Sequence, residues 1–321
     1  MTPRRVHVLV GAAVLALMGA RAWGIEQHIQ LETTTGALEG TLDLPNGPVP
    51  CPVVVIIAGS GPTDRDGNQA LMKNDSLKLL GQGLAAQQIA ALRYDKRGIA
   101  ASAAAMPREE DLRFETYVAD AVQWVARLRR DARFSRVGLV GHSEGSLIGM
   151  LAAQQAKVDA FVSVAGSSRA APAVIRDQLY TKLAPNLMTR SNQILDELIA
   201  GRTVPDAPKE LAALYRPSVQ PYLISLFKYD PLREMATLKV PVLIVQGTTD
   251  LQITVDDAKR LAAANRSAKL RLIKGMNHVL KHATSPAEQQ AAYTDPSLPI
   301  EAQAVKEIAA FLTTGLVRLE E

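Results

Sequence analysis

Val137-Gly138-Leu139-Val140-Gly141-His142-Ser143-Glu144-Gly145-Ser146-Leu147 decides how the rest of the chain is read. Its apolar start has the character of a buried strand. Gly141-x-Ser143-x-Gly145 then interrupts it, and residues 148–153 continue with the apolar content of a packed helix. A strand, a sharp turn and a helix in this order form a nucleophile elbow, whose turn lifts a serine hydroxyl out of the end of a sheet. The flanking glycines let backbone segments pass closely in that turn. Three fixed positions also arise by chance, so the reading depends on a base, a carboxylate and an oxyanion site falling at other strand ends.

The rest of the chain supplies those strands. Residues 27–33 and 37–44 read as a hairpin around Thr35-Gly36, and residues 52–58 are a continuous apolar run, as in a parallel strand buried on both faces. That run opens into a polar, glycine-rich loop at 59–68. A helix over 75–88, a strand over 89–94 and a helix over 114–130 follow, the last on Val118, Val122, Val125 and Leu128. After the elbow helix comes a sixth strand at 159–165. From 167 to 237 the alternation gives way to a helical pattern punctuated by Pro172, Pro185, Pro205, Pro208, Pro217 and Pro221, read as a helical cap inserted after the sixth strand. Strand 240–247, helix 256–265, strand 269–273 and helix 300–313 resume the rhythm. The expected fold is α/β, a doubly wound, mostly parallel sheet, in which ligands sit at the carboxyl ends of the strands.

A serine hydroxyl is a poor nucleophile until a positioned base takes its proton, and that base needs a carboxylate to orient it. In elbow folds the chain order is serine, acid, histidine. Asp250 follows the strand at 240–247, and His278 follows the strand at 269–273. They lie 107 residues after Ser143 and a further 28 residues on, with the longer gap holding the cap. Asp256 and Asp257 are rival acids, but they suit the first turn of the next helix, where its dipole favours negative charge. Of the five histidines, His7 lies in the leader, His28 near the start of the mature chain, and His142 inside the elbow. His282 competes with His278, which ends a strand directly. Two backbone amides must face the developing oxyanion. Glu144, next to the nucleophile, supplies one, and Ser60 in the loop after strand 52–58 supplies the other, with Gly61 second. The Glu144 side chain either binds a substrate group, orients a neighbour or is itself held by polar groups. Asp64-Arg65-Asp66, Asp95 and Arg97 read as loop scaffolding rather than recognition or catalysis.

With 321 residues, 47% of them hydrophobic, the chain can bury a large core. Residues 1–24 read as a signal peptide: a basic start with Arg4 and Arg5, an apolar run over 6–18, then Ala20 and Ala22 in A-x-A spacing. The mature protein is therefore expected in the periplasm or secreted, the alternative being an uncleaved membrane anchor. No membrane span is expected in the mature chain. Removing residues 1–24 takes away three arginines and no acid, so the net charge falls from +4 to +1. No basic stripe interleaved with aromatics remains, which argues against nucleic-acid binding. The single Cys51 permits no internal disulfide, and no Cys/His cluster has zinc-ligand spacing. No metal or organic cofactor is expected. The organisation read is a core over 25–166, the cap over 167–237 and a second core part over 238–321.

With these residues in place the chain resembles the α/β-hydrolase superfamily, and within it the serine aminopeptidase-like hydrolases and the cinnamoyl-esterase, dienelactone-hydrolase and acyl-thioesterase groups. The resemblance rests on Gly59-Ser60-Gly61-Pro62-Thr63-Asp64-Arg65-Asp66-Gly67, Arg93-Tyr94-Asp95-Lys96-Arg97-Gly98, Gly141-His142-Ser143-Glu144-Gly145, Tyr229-Asp230-Pro231 and Gly275-Met276-Asn277-His278. It implies Ser143, Asp250 and His278 as a triad. The chain departs from the superfamily at Ala58-Gly59, where His-Gly is frequent. The expected function is a serine hydrolase cleaving small-molecule carboxylic esters through an acyl-enzyme. Acyl-thioester hydrolysis and aminopeptidase-like cleavage on the same triad are alternatives, and a catalytically silent binding protein is the non-enzyme alternative. Leu179, Leu183, Leu187, Met188, Leu223 and Phe227 in the cap suit either an acyl pocket or the docking of a cap helix.

Overall fold

β3 (Cys51–Ile57) shows why the sheet is covered twice. Val53, Val55 and Ile57 point to one face and Val54 and Ile56 to the other, and all five are 0–1% exposed. A strand apolar on both faces needs a helical layer on each. The computed structural model describes residues 24–180 and 182–316, so the leader expected over residues 1–24 lies outside the described residues except for Gly24.

The described residues form one eight-stranded sheet in the order β1-β2-β4-β3-β5-β6-β7-β8. β1 (Ile25–Thr33) and β2 (Gly36–Leu44) make the antiparallel hairpin, and β2 pairs antiparallel with β4 (Ala90–Tyr94). β3, β5 (Phe134–His142), β6 (Ala160–Val164), β7 (Val242–Gly247) and β8 (Lys269–Ile273) continue in parallel. On one face α1 (Ser76–Ala85) and α11 (Ala302–Leu316) set Leu77, Leu80, Leu84, Ile308 and Leu312 in one apolar cluster with Val54, Ile56, Val140 and Val162. On the other, α2 (Phe114–Arg129), α3 (Glu144–Gln155) and α9 (Val255–Ala264) set Val118, Trp124, Leu128, Ile148 and Leu261 with Val53, Val55, Ile57 and Leu139. Each such side chain contributes about 1.5–3 kcal/mol on burial, so neither layer is dispensable.

Between β6 and β7 the chain forms α4 (Ala171–Tyr180), α5 (Pro185–Ile199), α6 (Ala212–Tyr215), α7 (Gln220–Leu226) and α8 (Pro231–Thr237). The prolines of this stretch begin helices more than they break them. Pro185, Pro221 and Pro231 occupy first-turn positions of α5, α7 and α8, where a missing N–H leaves no bond unmade. Asp230 caps α8 by accepting from the Leu232 amide at 2.9 Å. α7 docks on α2 through Ser225 Oγ, which accepts from the Phe114 amide at 2.8 Å, and through the Phe114–Tyr222 ring contact.

Two elements differ from the sequence reading. The helix expected over 75–88 stops at Ala85, and Gln88 turns into a positive φ of 63° that ends the segment before β4. An unexpected helix, α10 (Pro286–Thr294), lies between His278 and α11. Its start carries the Ser285–Glu288 capping box, a signal present in the sequence but embedded in a short, weakly amphipathic stretch. No described helix is long and apolar enough to cross a membrane.

Candidate active site

Ser143 sits at the junction of β5 and α3 with φ 55° and ψ −121°. A side chain rarely adopts this conformation, which costs about 1–3 kcal/mol. The surroundings enforce it. A Cβ at position 141 would stand 2.2 Å from the Gly145 carbonyl oxygen, and one at 145 would stand 2.2 Å from that of Ile57. Glycine at both positions lets the turn close against β3. The Ser143 amide donates to the Val164 carbonyl at 2.9 Å, tying the turn to β6.

Asp250 and His278 come together from the loops after β7 and β8. The carboxylate can only accept, so His278 Nδ1 carries the proton and donates to Asp250 Oδ2 at 2.8 Å. Asp250 Oδ1 accepts from the Gln252 and Ile253 amides at 2.8 and 3.0 Å, and Oδ2 also accepts from Gln246 Nε2 at 3.1 Å. Burial pushes this carboxyl up, but the His278 charge and hydrogen bond, with the two amides, outweigh it and hold Asp250 below its ordinary value. His142 props the histidine from the elbow side: its Nε2 donates to the His278 carbonyl at 2.8 Å, and the two rings lie 4.9 Å apart. Burial, reinforced by repulsion from His278, lowers His142 to about 4, so it is neutral at pH 7.

Ser60, Ser143 and Glu144 line one cavity of about 680 Å³. The loop after β3 is pressed against the elbow, since a Cβ on Gly59 would stand 3.1 Å from Ser143 Cβ. Behind this loop, Lys96 Nζ donates to the Gly59 carbonyl at 2.5 Å and lies 3.8 Å from Glu144 Oε1. Tyr222 Oη, brought in by α7, donates to the same Glu144 oxygen at 2.9 Å. Burial lowers the Lys96 ammonium from its ordinary value, partly opposed by the Glu144 charge. Burial, then the Glu144 charge, raises the Tyr222 phenol well above its own. The remaining walls are mostly aliphatic, including Met106, Leu112, Leu147 and Val174.

The other residues singled out in the sequence have structural partners. His282 Nδ1 is 2.7 Å from Glu301 Oε1, with the imidazole exposed. Asp257 forms the α9 capping box with Thr254 and accepts from Arg169 and Ser168. Arg65 grips Asp95 at 2.7 Å, Asp66 pairs with Arg93, and Arg97 binds Asp120 at 2.6 Å. Of the apolar residues named between β6 and β7, Leu179 and Leu223 line the cavity. Leu183, Leu187 and Phe227 instead pack against the core. Sequence pattern does not single out Lys96, Tyr222, Gln246 or the propping role of His142. Lys96 stood inside a quoted motif, but its partners lie 37 and 48 residues away. No group of described His, Cys, Asp or Glu side chains is arranged to hold a metal.

Comparison with known proteins fits this architecture. The sequence pattern of the serine aminopeptidase S33 family matches residues 75–283, about two thirds of the chain. Esterase EstD of Thermotoga maritima is 26% identical over 262 residues, 79% of this chain and 61% of its own length. The chain thus spans about three fifths of that relative. Est1E from Butyrivibrio proteoclasticus, solved with ferulic acid, superposes with a TM-score of 0.60 at 20% identity, over 89% of this chain and 99% of its own. The Pyrococcus horikoshii acylaminoacyl peptidase does so with a TM-score of 0.60 at 15% identity, over 93% and 43%. At these identities the superpositions establish the fold, which both esterases and a peptidase share. The chain belongs to the serine aminopeptidase S33 family of the α/β-hydrolase fold.

Proposed function

We propose that this protein is a serine esterase that cleaves carboxylic esters through an acyl-enzyme. Ser143 attacks the ester carbonyl while His278 takes the hydroxyl proton, which then passes to the departing alcohol. Asp250 holds the imidazole in its productive tautomer and balances its charge. The amides of Ser60 and Glu144 receive the oxyanion. Water, deprotonated by His278, releases the acid. The observation that carries the reading is the 2.8 Å Asp250–His278 pair, whose histidine lies against His142 of the elbow, together with a serine held at φ 55° on the cavity wall.

The esterases among the relatives support an ester as the bond cleaved, and the mostly aliphatic walls favour a neutral aliphatic acyl group. Residues 167–237 act as a helical cap in this account, between core parts 25–166 and 238–321. Leu179 and Leu223 support that role by lining the same cavity as Ser143.

Aminopeptidase action is less well supported. It needs a free carboxylate for the substrate's amine, and both carboxylates lining the cavity are engaged, Glu144 by the Tyr222 hydroxyl and the Lys96 ammonium and Glu109 by Arg216 and Ser218. On the proposal that residues 1–24 are an export leader, the mature protein works in the periplasm or the medium, apart from the mainly cytosolic coenzyme A, which disfavours its thioesters as substrates. A shortened chain recovered from the periplasm, with its mass matching cleavage near residue 24, is the expected export result. A full-length membrane-bound chain contradicts it.

The activity test is a p-nitrophenyl ester series of increasing acyl length, beside amino-acid p-nitroanilides and an acyl-coenzyme A. Esters are turned over, and Ser143→Ala abolishes turnover in protein with an unchanged circular dichroism spectrum. Folded wild-type protein that cleaves anilides or thioesters and spares esters ends the esterase reading.

A further inference from the structure

Lys96 takes no part in the proton transfers above, yet its side chain is 1% exposed beside the nucleophile. A buried ammonium is costly unless well partnered, so its partners are informative. They are the Gly59 carbonyl at 2.5 Å, Glu144 Oε1 at 3.8 Å and the face of Tyr117 at 5.1 Å. The Gly59 carbonyl and the Ser60 N–H belong to one peptide unit, and that unit is trans. In a planar trans peptide these two groups point in opposite directions, so fixing the oxygen fixes the direction of the N–H. A cation on the oxygen also polarises the unit and makes the N–H a stronger donor.

We propose that Lys96 is a positioning residue for the oxyanion hole. It orients and polarises the Ser60 amide through the Gly59 carbonyl, and it ties that peptide to Glu144, the residue carrying the second amide. Tyr222 completes the link by holding the same Glu144 oxygen from α7, so the loop after β3 and the elbow meet at the ammonium and the segment between β6 and β7 joins them through Glu144. The inference rests on the assignment of Ser60 and Glu144 as oxyanion donors in the esterase reading.

The test compares wild type with Lys96→Met, Glu144→Gln and the Lys96→Met/Glu144→Gln pair. Each variant is first checked for a native circular dichroism spectrum and melting transition. The readouts are kcat and KM on a short p-nitrophenyl ester, the affinity for a trifluoromethyl ketone whose serine adduct carries an oxyanion, and the rate of fluorophosphonate labelling. Lys96→Met should lower kcat by about 10- to 100-fold with KM nearly unchanged, because only the oxyanion-bearing state needs the aimed amide. Ketone affinity and labelling rate should fall in step. Glu144→Gln keeps its amide and should lose less than about fivefold on the same reasoning. If a lone uncompensated Glu144 unfolds Lys96→Met, the paired variant removes both charges and should show the full loss. Folded Lys96→Met, or the folded pair, with wild-type kcat and ketone affinity overturns the proposal. Wild type that is labelled but spares esters refutes the ester reading alone, and the labelling rates then judge Lys96.

Discussion

Replacing Asp250 by Asn removes one charge from the pair with His278 while leaving its volume in place. In the proposed mechanism the imidazole becomes an imidazolium as Ser143 attacks, and the carboxylate stands 2.8 Å from its Nδ1. Two full charges at that separation interact by about 6 kcal/mol at an effective dielectric of about 20. The imidazolium charge is shared over two nitrogens, so roughly two thirds of this, about 4 kcal/mol, bears on the transition state, or about 10³-fold in kcat. The Asn amide also imposes the wrong imidazole tautomer, which deepens the loss. Folding should survive, since Asn retains an Oδ1 acceptor for the Gln252 and Ile253 amides. Steady-state hydrolysis of a p-nitrophenyl ester, with a melting curve on the same sample, measures both effects. The wild-type carboxyl is held below its ordinary 3.8, so it adds stability above that pH and loses it as pH falls through the folded value. Asp250→Asn should therefore be less acid-sensitive than wild type. A folded variant retaining more than about a tenth of wild-type kcat would refute the reasoning.

Asp257, with its side chain 2% exposed and its carboxyl held at about 2 by Arg169, Thr254 and Ser168 against the cost of burial, stabilises the fold above pH 3.8. Asp257→Ala should lose about 2 kcal/mol in urea denaturation at pH 7, a difference that closes as pH falls from 3.8 towards 2. His142, buried and lowered from 6.5 to about 4, favours the fold when neutral. Its contribution is complete above pH 6.5 and disappears as pH falls towards 4, so His142→Gln should flatten the wild-type stability loss across that window. Gly145→Ala has no room for its methyl group beside the Ile57 carbonyl. It should cost more than about 3 kcal/mol in thermal or urea unfolding, and a native-like melting point would contradict the elbow packing described.

Much of the site was legible because its chemistry obeys chain order. A serine in a glycine-flanked turn, an acid and a histidine each close an apolar run, and a parallel sheet brings the ends of such runs to one edge. Strand ends and the serine–acid–histidine order could therefore nominate Asp250 over Asp257 and His278 over His282; in the structure Asp250 pairs with His278, Asp257 caps α9 and His282 pairs with Glu301. The polar layer behind the site was not legible in the same way. Lys96 and Tyr222 meet Glu144 across 48 and 78 residues of chain, and nothing local distinguishes a lysine that will be 1% exposed from one that will be solvated. The segment between β6 and β7 was readable as helical, but not in which residues face the cavity. Leu179 and Leu183 are one turn apart, yet only Leu179 reaches the cavity wall. α10 is hidden from sequence reading because its capping box introduces a stretch with little apolar periodicity.

The central claim is that Ser143 is an activated nucleophile, and covalent labelling tests it most directly. Mature protein would be treated with a fluorophosphonate and digested, and the adduct located by mass spectrometry, beside Ser143→Ala as control. A single adduct on Ser143, absent from the folded alanine variant and suppressed in Asp250→Asn, is the predicted result. Folded wild-type protein that stays unlabelled, or an alanine variant that labels and turns over ester as fast as wild type, would contradict the account.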